Sequence, residues 1–363
     1  MTPSHAGRKV GPEHRSTRSS RRKRGRLVDH AVRLAAVAAL ASMIVSPRSA
    51  RAADKTIRLA TIAPRASSWG KVYDVWQKAL TNKTGGRLDL QVYFNGVQGN
   101  EDAMVSKIRT GQLDGAAITA TGLSLIYKNV LVLQIPGVLT TWDQLDSVRK
   151  EVQPDLDAGI RAAGFDIIGW GDVGLVRQFT KGFEIHRPAD VKGKHPAVWR
   201  NEPTGPALYA AIGGVVPVPV DAMEMLPALR AGTVDLIAAP ALAAEQLQWT
   251  PYLDHVNDDV IVCAVGALIL KTGVLESLPA DLKATWDEVE KRATESMQGR
   301  VRKLDDDSYG RIAQRMTVIH STESERDEWK KLLRKVVTGL SHGTYDKALV
   351  NRVLQIRGME PID

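Results

Sequence analysis

Residues 56–119 read TIRLATIAPRASSWGKVYDVWQKALTNKTGGRLDLQVYFNGVQGNEDAMVSKIRTGQLDGAAIT, and their periodicity decides the fold. TIRLATIAP is apolar and β-branched and stops at Pro64, which predicts a strand. SSWGKVYDVWQKALTNKTGG predicts a helix capped by Ser67 or Ser68 and stopped at Gly85–Gly86. Trp69, Val72, Trp76 and Leu80 recur at helical spacing, so both tryptophans already have a core explanation. RLDLQVYF is a second strand, residues 101–109 a short helix and QLDGAAIT a third strand. The order β-α-β-α-β belongs to a sheet with helices on its faces, an α/β fold.

The alternation continues outward from this block. A long helix is expected from Trp142 to Ala163 with Gly164 closing it, followed by the strand FDIIGW. LVRQF, HPAVW, VVPVPV and VDLIAA read as further strands, with helices near 204–212 and 222–231. The strand candidates fall into groups before and after about residue 173. The long apolar stretch VIVCAVGALIL, 260–270, is expected to cross between the groups. In the C-terminal third, Leu282, Trp286, Val289, Ala293 and Met297 mark one apolar helix face, and residues from Trp329 to Leu340 mark another. The expected domains are residues 54–172 with part of 267–363, then 173–266, with 267–363 packing on both.

The N-terminus carries a different signal. Nine Lys or Arg residues precede position 27, residues 34–45 (LAAVAALASMIV) are almost wholly apolar, and Ala50 and Ala52 have the A-x-A spacing of a signal-peptidase site. Residues 1–53 are read as an export signal cleaved near Ala52 or Ala53, which places the mature chain in the periplasm. The leader also distorts the charge. The whole chain is formally +8, but residues 54–363 carry 37 basic and 39 acidic residues. A near-neutral body offers no basic footprint for nucleic acid.

Chemical motifs are mostly excluded. Gly169, Gly171 and Gly174 spell G-x-G-x-x-G after a strand, but a dinucleotide site needs a helix to open there, and LVRQF reads as strand. A glycine-rich chain crossing between domains explains the spacing better. The histidines form no HExxH pair or Cys/His cluster, and there is no G-x-S-x-G elbow or P-loop, so no metal, cofactor or enzymatic chemistry is expected. Asp305–Asp306–Asp307 reads as a solvated helix face or turn and lacks calcium-loop spacing. Cys263, the only cysteine, sits in an apolar run and reads as a small buried hydrophobe.

Taken together, several segments resemble the extracytoplasmic solute-binding subunits of tripartite ATP-independent periplasmic (TRAP) transporters, the DctP-type proteins. The likeness covers residues 55–360. It rests on RLATIAPRASSW (58–69), GGRLDLQVYFNGVQGNEDAMVSKIRTGQLDGAAIT (85–119), GLVRQF (174–179), RPADVKGK (187–194), GGVVPVPVDAMEMLPALRAGTVDLIAAP (213–240) and LQWTPYLDHV (247–256), in that order. The resemblance implies a two-lobed periplasmic-binding-protein fold of type II-like architecture, with C-terminal helices bracing both lobes. It also implies a small-molecule ligand, usually an organic acid, in the cleft, and a TRAP-type membrane permease as partner. Pro64, Ser68 and Trp69 match the cleft-lining loop and helix N-terminus, and Arg177 matches a cleft arginine whose guanidinium fork suits a carboxylate. The alternative for Arg177 is a surface ion pair. The chain departs from the family pattern at Ala197, where a second arginine is usual, and at Ala238, Ala239 and Ala241, where polar groups are usual. Arg200 lies three residues beyond Ala197. A cleft walled by Trp170, Trp199, Ala239 and Trp249 would suit a carboxylate with a large apolar body. A periplasmic carrier or sensor of an apolar ligand, working without a TRAP permease, is the alternative reading.

Overall fold

The computed structural model describes residues 53–363, so the expected export signal, apart from Ala53, lies outside the described residues. The opening block forms as its periodicity requires. Strand β1 (Lys55–Thr61) leads to helix α1 (Ser68–Thr84), β2 (Leu88–Tyr93), α2 (Glu101–Arg109) and β3 (Gly115–Thr119). The Ser67 hydroxyl caps α1 by accepting from the Gly70 amide at 3.1 Å, and Gly85 ends the helix in the left-handed region, at φ 61°. A one-turn helix α3 (Ala120–Ser124) and the long α4 (Trp142–Ala162) follow.

The next strand, β4 (Phe165–Thr180), departs from the sequence reading. FDIIGW and LVRQF are one continuous 16-residue strand. The glycine-rich middle does not break it, because both flanks pair with a later strand and register shifts at Ile167/Gly169 and Asp172/Gly174 absorb the irregularity. The expected boundary at 172/173 therefore falls inside a strand. After it come β5 (Ala197–Trp199), α5 (Thr204–Ile212), β6 (Val218–Val220), α6 (Ala222–Ala231), β7 (Leu236–Pro240), α7 (Ala241–Gln246), β8 (His255–Asn257) and β9 (Val262–Lys271). The chain closes with α8 (Ala280–Ala313), β10 (Thr317–Ile319), α9 (Glu323–Leu340) and α10 (Lys347–Ile356).

The sheet runs β10-β8-β4-β9-β3-β1-β2, with β7 also paired to β4. At one end β1 pairs in parallel with β2 and β3, while β3 meets β9 antiparallel. At the other, the second half of β4 pairs antiparallel with β7 and β8. The parallel pair β5–β6 joins β7 through a bridge between Pro196 and Leu236. Two lobes result. Both β4 and β9 pass between them, in line with the expected crossings at the glycine-rich 169–174 stretch and at 260–270.

Helix α8 binds the halves together. Leu282, Trp286 and Val289 bury against Trp76 and Leu80 of α1, with Ala293 and Met297 partly buried beside them. About two and three turns beyond Met297, Asp305 and Ser308 are fully buried. This overturns the reading of a solvated face for Asp305, while Asp306 and Asp307 are exposed as expected. The Asp305 carboxylate accepts from the Leu175 amide of β4 at 2.8 Å and from the Leu242 amide of α7 at 2.9 Å. Cys263 is buried as expected, and burial pushes its thiol up to about 12.

Candidate functional site

A cavity of about 380 Å³ lies between the lobes. Its floor is the shared face of β3, β4 and β9, where Ala117, Gly169, Gly171, Ala264 and Gly266 present almost no side chain. Of the glycines singled out as a pseudo-nucleotide motif, Gly169 and Gly174 sit where neighbours leave no room for a Cβ, whereas Gly171 does not. At Gly174 a Cβ would meet the Pro240 Cβ at 2.5 Å and the Asp305 carboxylate at 2.6 Å. The strand also continues past them, so no helix N-terminus opens toward a pyrophosphate.

The structure brings most of the expected residues together. Pro64, Trp69, Trp170, Trp199, Arg200, Ala239 and Trp249 all line the cavity, as does Ala197. Trp199 and Trp249 meet with ring centroids 5.9 Å apart. Trp249 is fully buried, and the Trp170 indole N–H donates to Asp157 at 2.8 Å. Trp69 and Trp76, two turns apart on one helical face, both line the cavity, and Trp76 also packs on Trp286 at 4.8 Å. Trp76 thus serves both the core and the cavity.

Two expectations need correction. Ser68 is not a cavity residue: its amide donates to the Gln246 side-chain oxygen at 2.8 Å, and the Gln246 amide group donates to its hydroxyl at 2.7 Å. The helix N-terminus expected to meet a ligand is occupied by a side chain from the other lobe. Arg177 is also turned away. Strand alternation puts Val176 and Gln178 on the cavity face and Arg177 on the other. Its guanidinium stacks over Tyr309 at 4.0 Å, and it is 7% exposed. The register shift at Asp172/Gly174, just upstream in β4, is where the strand's pairing departs from regular alternation.

Arg200 is the one Lys or Arg among the lining residues described. It follows β5, and its amide donates to the Val220 carbonyl of β6 at 3.3 Å, so the parallel pair sets it beside the start of α6. There Nε donates to Asp221 at 3.2 Å and Nη2 to Glu224 at 2.8 Å. Asp221 also accepts from the Asn100 side chain of the opposite lobe at 3.1 Å. The Arg200 guanidinium holds the Glu224 carboxyl below its ordinary range.

Sequence reasoning missed three carboxylates. Glu101 lines the cavity, and burial raises its pKa although Thr119 donates to it through both amide (2.6 Å) and hydroxyl (2.8 Å). Asp172 is gripped by Arg149 and by Arg302, the latter at 2.6 Å. Arg302 also forks onto Asp146 at 2.6 and 2.7 Å. Only the first of these had a local signal: Asn100 precedes the first turn of α2 as a cap, which points Glu101 into the cleft end of the helix. Arg302 lies 130 and 156 positions from its partners Asp172 and Asp146, and no local pattern announces the network. Among the described residues no group of His, Cys, Asp or Glu is arranged to hold a metal ion.

Comparison with known proteins identifies this architecture. The family profile of bacterial extracellular solute-binding protein family 7 (DctP) matches residues 59–342. A solute-binding protein of Verminephrobacter eiseniae is 22% identical over 279 residues, covering 76% of this chain and 82% of that one. The fold is similar to a TRAP periplasmic solute-binding protein of Sulfurospirillum deleyianum solved with succinate, at TM-score 0.77 and 18% identity, covering 84% of this chain and 99% of that one. It is also similar to one of Ralstonia eutropha H16 solved with (S)-2-acetolactate, at TM-score 0.76 and 21% identity, covering 84% and 98%. The chain belongs to bacterial extracellular solute-binding protein family 7, the DctP-type proteins, and is a solute-binding protein of transport rather than an enzyme.

Proposed function

We propose that this chain is the periplasmic receptor of a TRAP-type transporter, closing on a small organic acid with a large apolar body and delivering it to a membrane permease. The observation that carries this reading is the composition of the cavity. About 380 Å³ of space is walled by tryptophans and small apolar residues and holds a single guanidinium, that of Arg200. Apolar walls with few polar groups suit a ligand of the same character. Relatives of the same fold were solved with succinate and with acetolactate, both carboxylates. In this chain the carboxylate is assigned to Arg200, since Arg177 is turned toward Tyr309. Trp199 and Trp249 form the wall against which the apolar body packs.

Closure needs no covalent chemistry. The lobes, 54–172 and 173–266 with a boundary inside β4, hinge about β4 and β9, and ligand shifts the population toward the closed form. Native mass spectrometry of protein purified from its own periplasm tests the reading. A retained monocarboxylate with an alicyclic or aromatic body is the expected result. A retained sugar, metal or highly charged ligand would contradict it.

A further inference from the structure

The cavity's single guanidinium is not free. Arg200 gives Nε to Asp221 at 3.2 Å and Nη2 to Glu224 at 2.8 Å, so two carboxylates already face one positive charge. Asp221 lines the cavity and Glu224 stands outside its lining, and the other acids of the lining are each occupied. Glu101 is held by Thr119, Glu202 accepts from the Thr204 and Gly205 amides at 2.7 and 2.8 Å, and Asp172 lies between Arg149 and Arg302. Asp102 is exposed and accepts from the Ala103 amide at 2.7 Å. No second Lys or Arg lines the described cavity. A guanidinium has five N–H donors in a planar fork, so donors remain for one incoming carboxylate. What is lacking is surplus positive charge.

We propose that Asp221 and Glu224 are specificity-determining residues: by neutralising Arg200 they restrict the cavity to ligands with one carboxylate and exclude dicarboxylates. This rests on the reading of the cavity as an organic-acid site. A first carboxylate shares the hydrogen-bonding fork of Arg200. A second enters a closing, apolar space whose remaining charged groups are acids, and an unpaired carboxylate there loses its hydration without replacement. The same two acids also start helix α6, where Asp221 is the cap residue and Glu224 reaches back to its amide at 3.0 Å in a capping box. The selectivity element is therefore built into the fold of the cleft rim.

Neutral isosteres separate the two roles, because Asn is a good cap and Gln serves at the third position of a capping box. Ligand-stripped full-length mature protein and the Asp221→Asn/Glu224→Gln variant are titrated calorimetrically with naphthoate, a naphthalene dicarboxylate and naphthamide. Thermal unfolding of each variant checks that α6 remains intact. The unsubstituted protein should bind naphthoate about tenfold or more tighter than the dicarboxylate. The double variant should bind the dicarboxylate about tenfold tighter than before, closing the gap, while naphthamide affinity stays level. Arg200→Gln should bring naphthoate down to the naphthamide value. An unchanged ratio of mono- to dicarboxylate in the double variant would overturn the proposal while leaving the organic-acid reading in place. Naphthoate binding no better than naphthamide in the unsubstituted protein would overturn both.

Discussion

Asp305 shows how much one side chain can hold in this molecule. It is fully buried on α8, and its two oxygens accept the Leu175 amide of β4 and the Leu242 amide at the start of α7. Removing the carboxylate orphans two buried amides and leaves a void. Asp305→Ala should lower unfolding stability by about 2–5 kcal/mol, read from urea denaturation. Gly174→Ala should also destabilise, since its Cβ would enter the space of Pro240 and Asp305 at a φ of +147°. A midpoint unchanged from that of the unsubstituted protein would contradict either expectation. Asp305 was legible in principle. The apolar positions 282, 286, 289, 293 and 297 continue by helical steps to 301, 305, 308 and 312, all buried. Three consecutive aspartates suggested solvent, but only the first of them lies on the buried face. Arg177 shows the opposite limit. Its identity suggested a carboxylate anchor, yet a register shift a few residues upstream decides which face it occupies, and nothing local encodes that shift.

At the scale of elements, β4 and the helices around it form a charged junction. Asp172 on β4 is held by Arg149 of α4 and Arg302 of α8, and Arg302 reaches Asp146 of α4 and stacks on Trp142 at 4.7 Å. Arg149 and Asp172 are 5% and 2% exposed, so neutralising one strands the other away from water. Asp172→Asn should cost about 3–5 kcal/mol in unfolding free energy, whereas a surface pair of the same type would cost little. The outer member gives a pH signature. Arg302 holds the Asp146 carboxyl below its ordinary range. With the folded pKa below the unfolded one, the unfolded state binds more protons as pH falls. The contribution is therefore full above about pH 4, the ordinary carboxylate value, and is lost as pH drops through the depressed folded value. The stability difference between the unsubstituted protein and Asp146→Asn should shrink over that acid window and stay constant above it. A difference that grows on acidification would contradict the assignment. Elements of this kind were legible where periodicity is local: α1, α2, β1 to β3 and α4 all lie within three residues of their expected bounds. The merging of FDIIGW and LVRQF into one strand was not, because pairing with β9 nearly a hundred residues later overrides the glycines.

For the whole molecule, the two lobes are tied across the cleft by polar side chains as well as by the crossing strands. Gln246 exchanges two hydrogen bonds with Ser68, and Asn100 donates to Asp221. If closure around ligand uses these bonds, Gln246→Ala should weaken ligand binding two- to tenfold with little change in thermal stability, and solution scattering should show a larger open fraction. Unchanged affinity and an unchanged scattering profile would mean that the pair is incidental to closure. At this scale the order of segments spoke clearly: alternating strands and helices, an apolar crossing segment and C-terminal amphipathic helices specified a two-lobed α/β protein. The tryptophans and alanines of the cavity lining were legible in the sequence, whereas its carboxylates were not. Which candidate arginine faces the cavity was not, since that depends on how β4, β5 and β6 align in space. The most direct test is a crystal structure of the protein with the ligand it retains from its own periplasm. The ligand's single carboxylate should lie within hydrogen-bond distance of Arg200 and its apolar body against Trp199 and Trp249; a ligand anchored by Arg177, or seated outside the space between the lobes, would contradict the account.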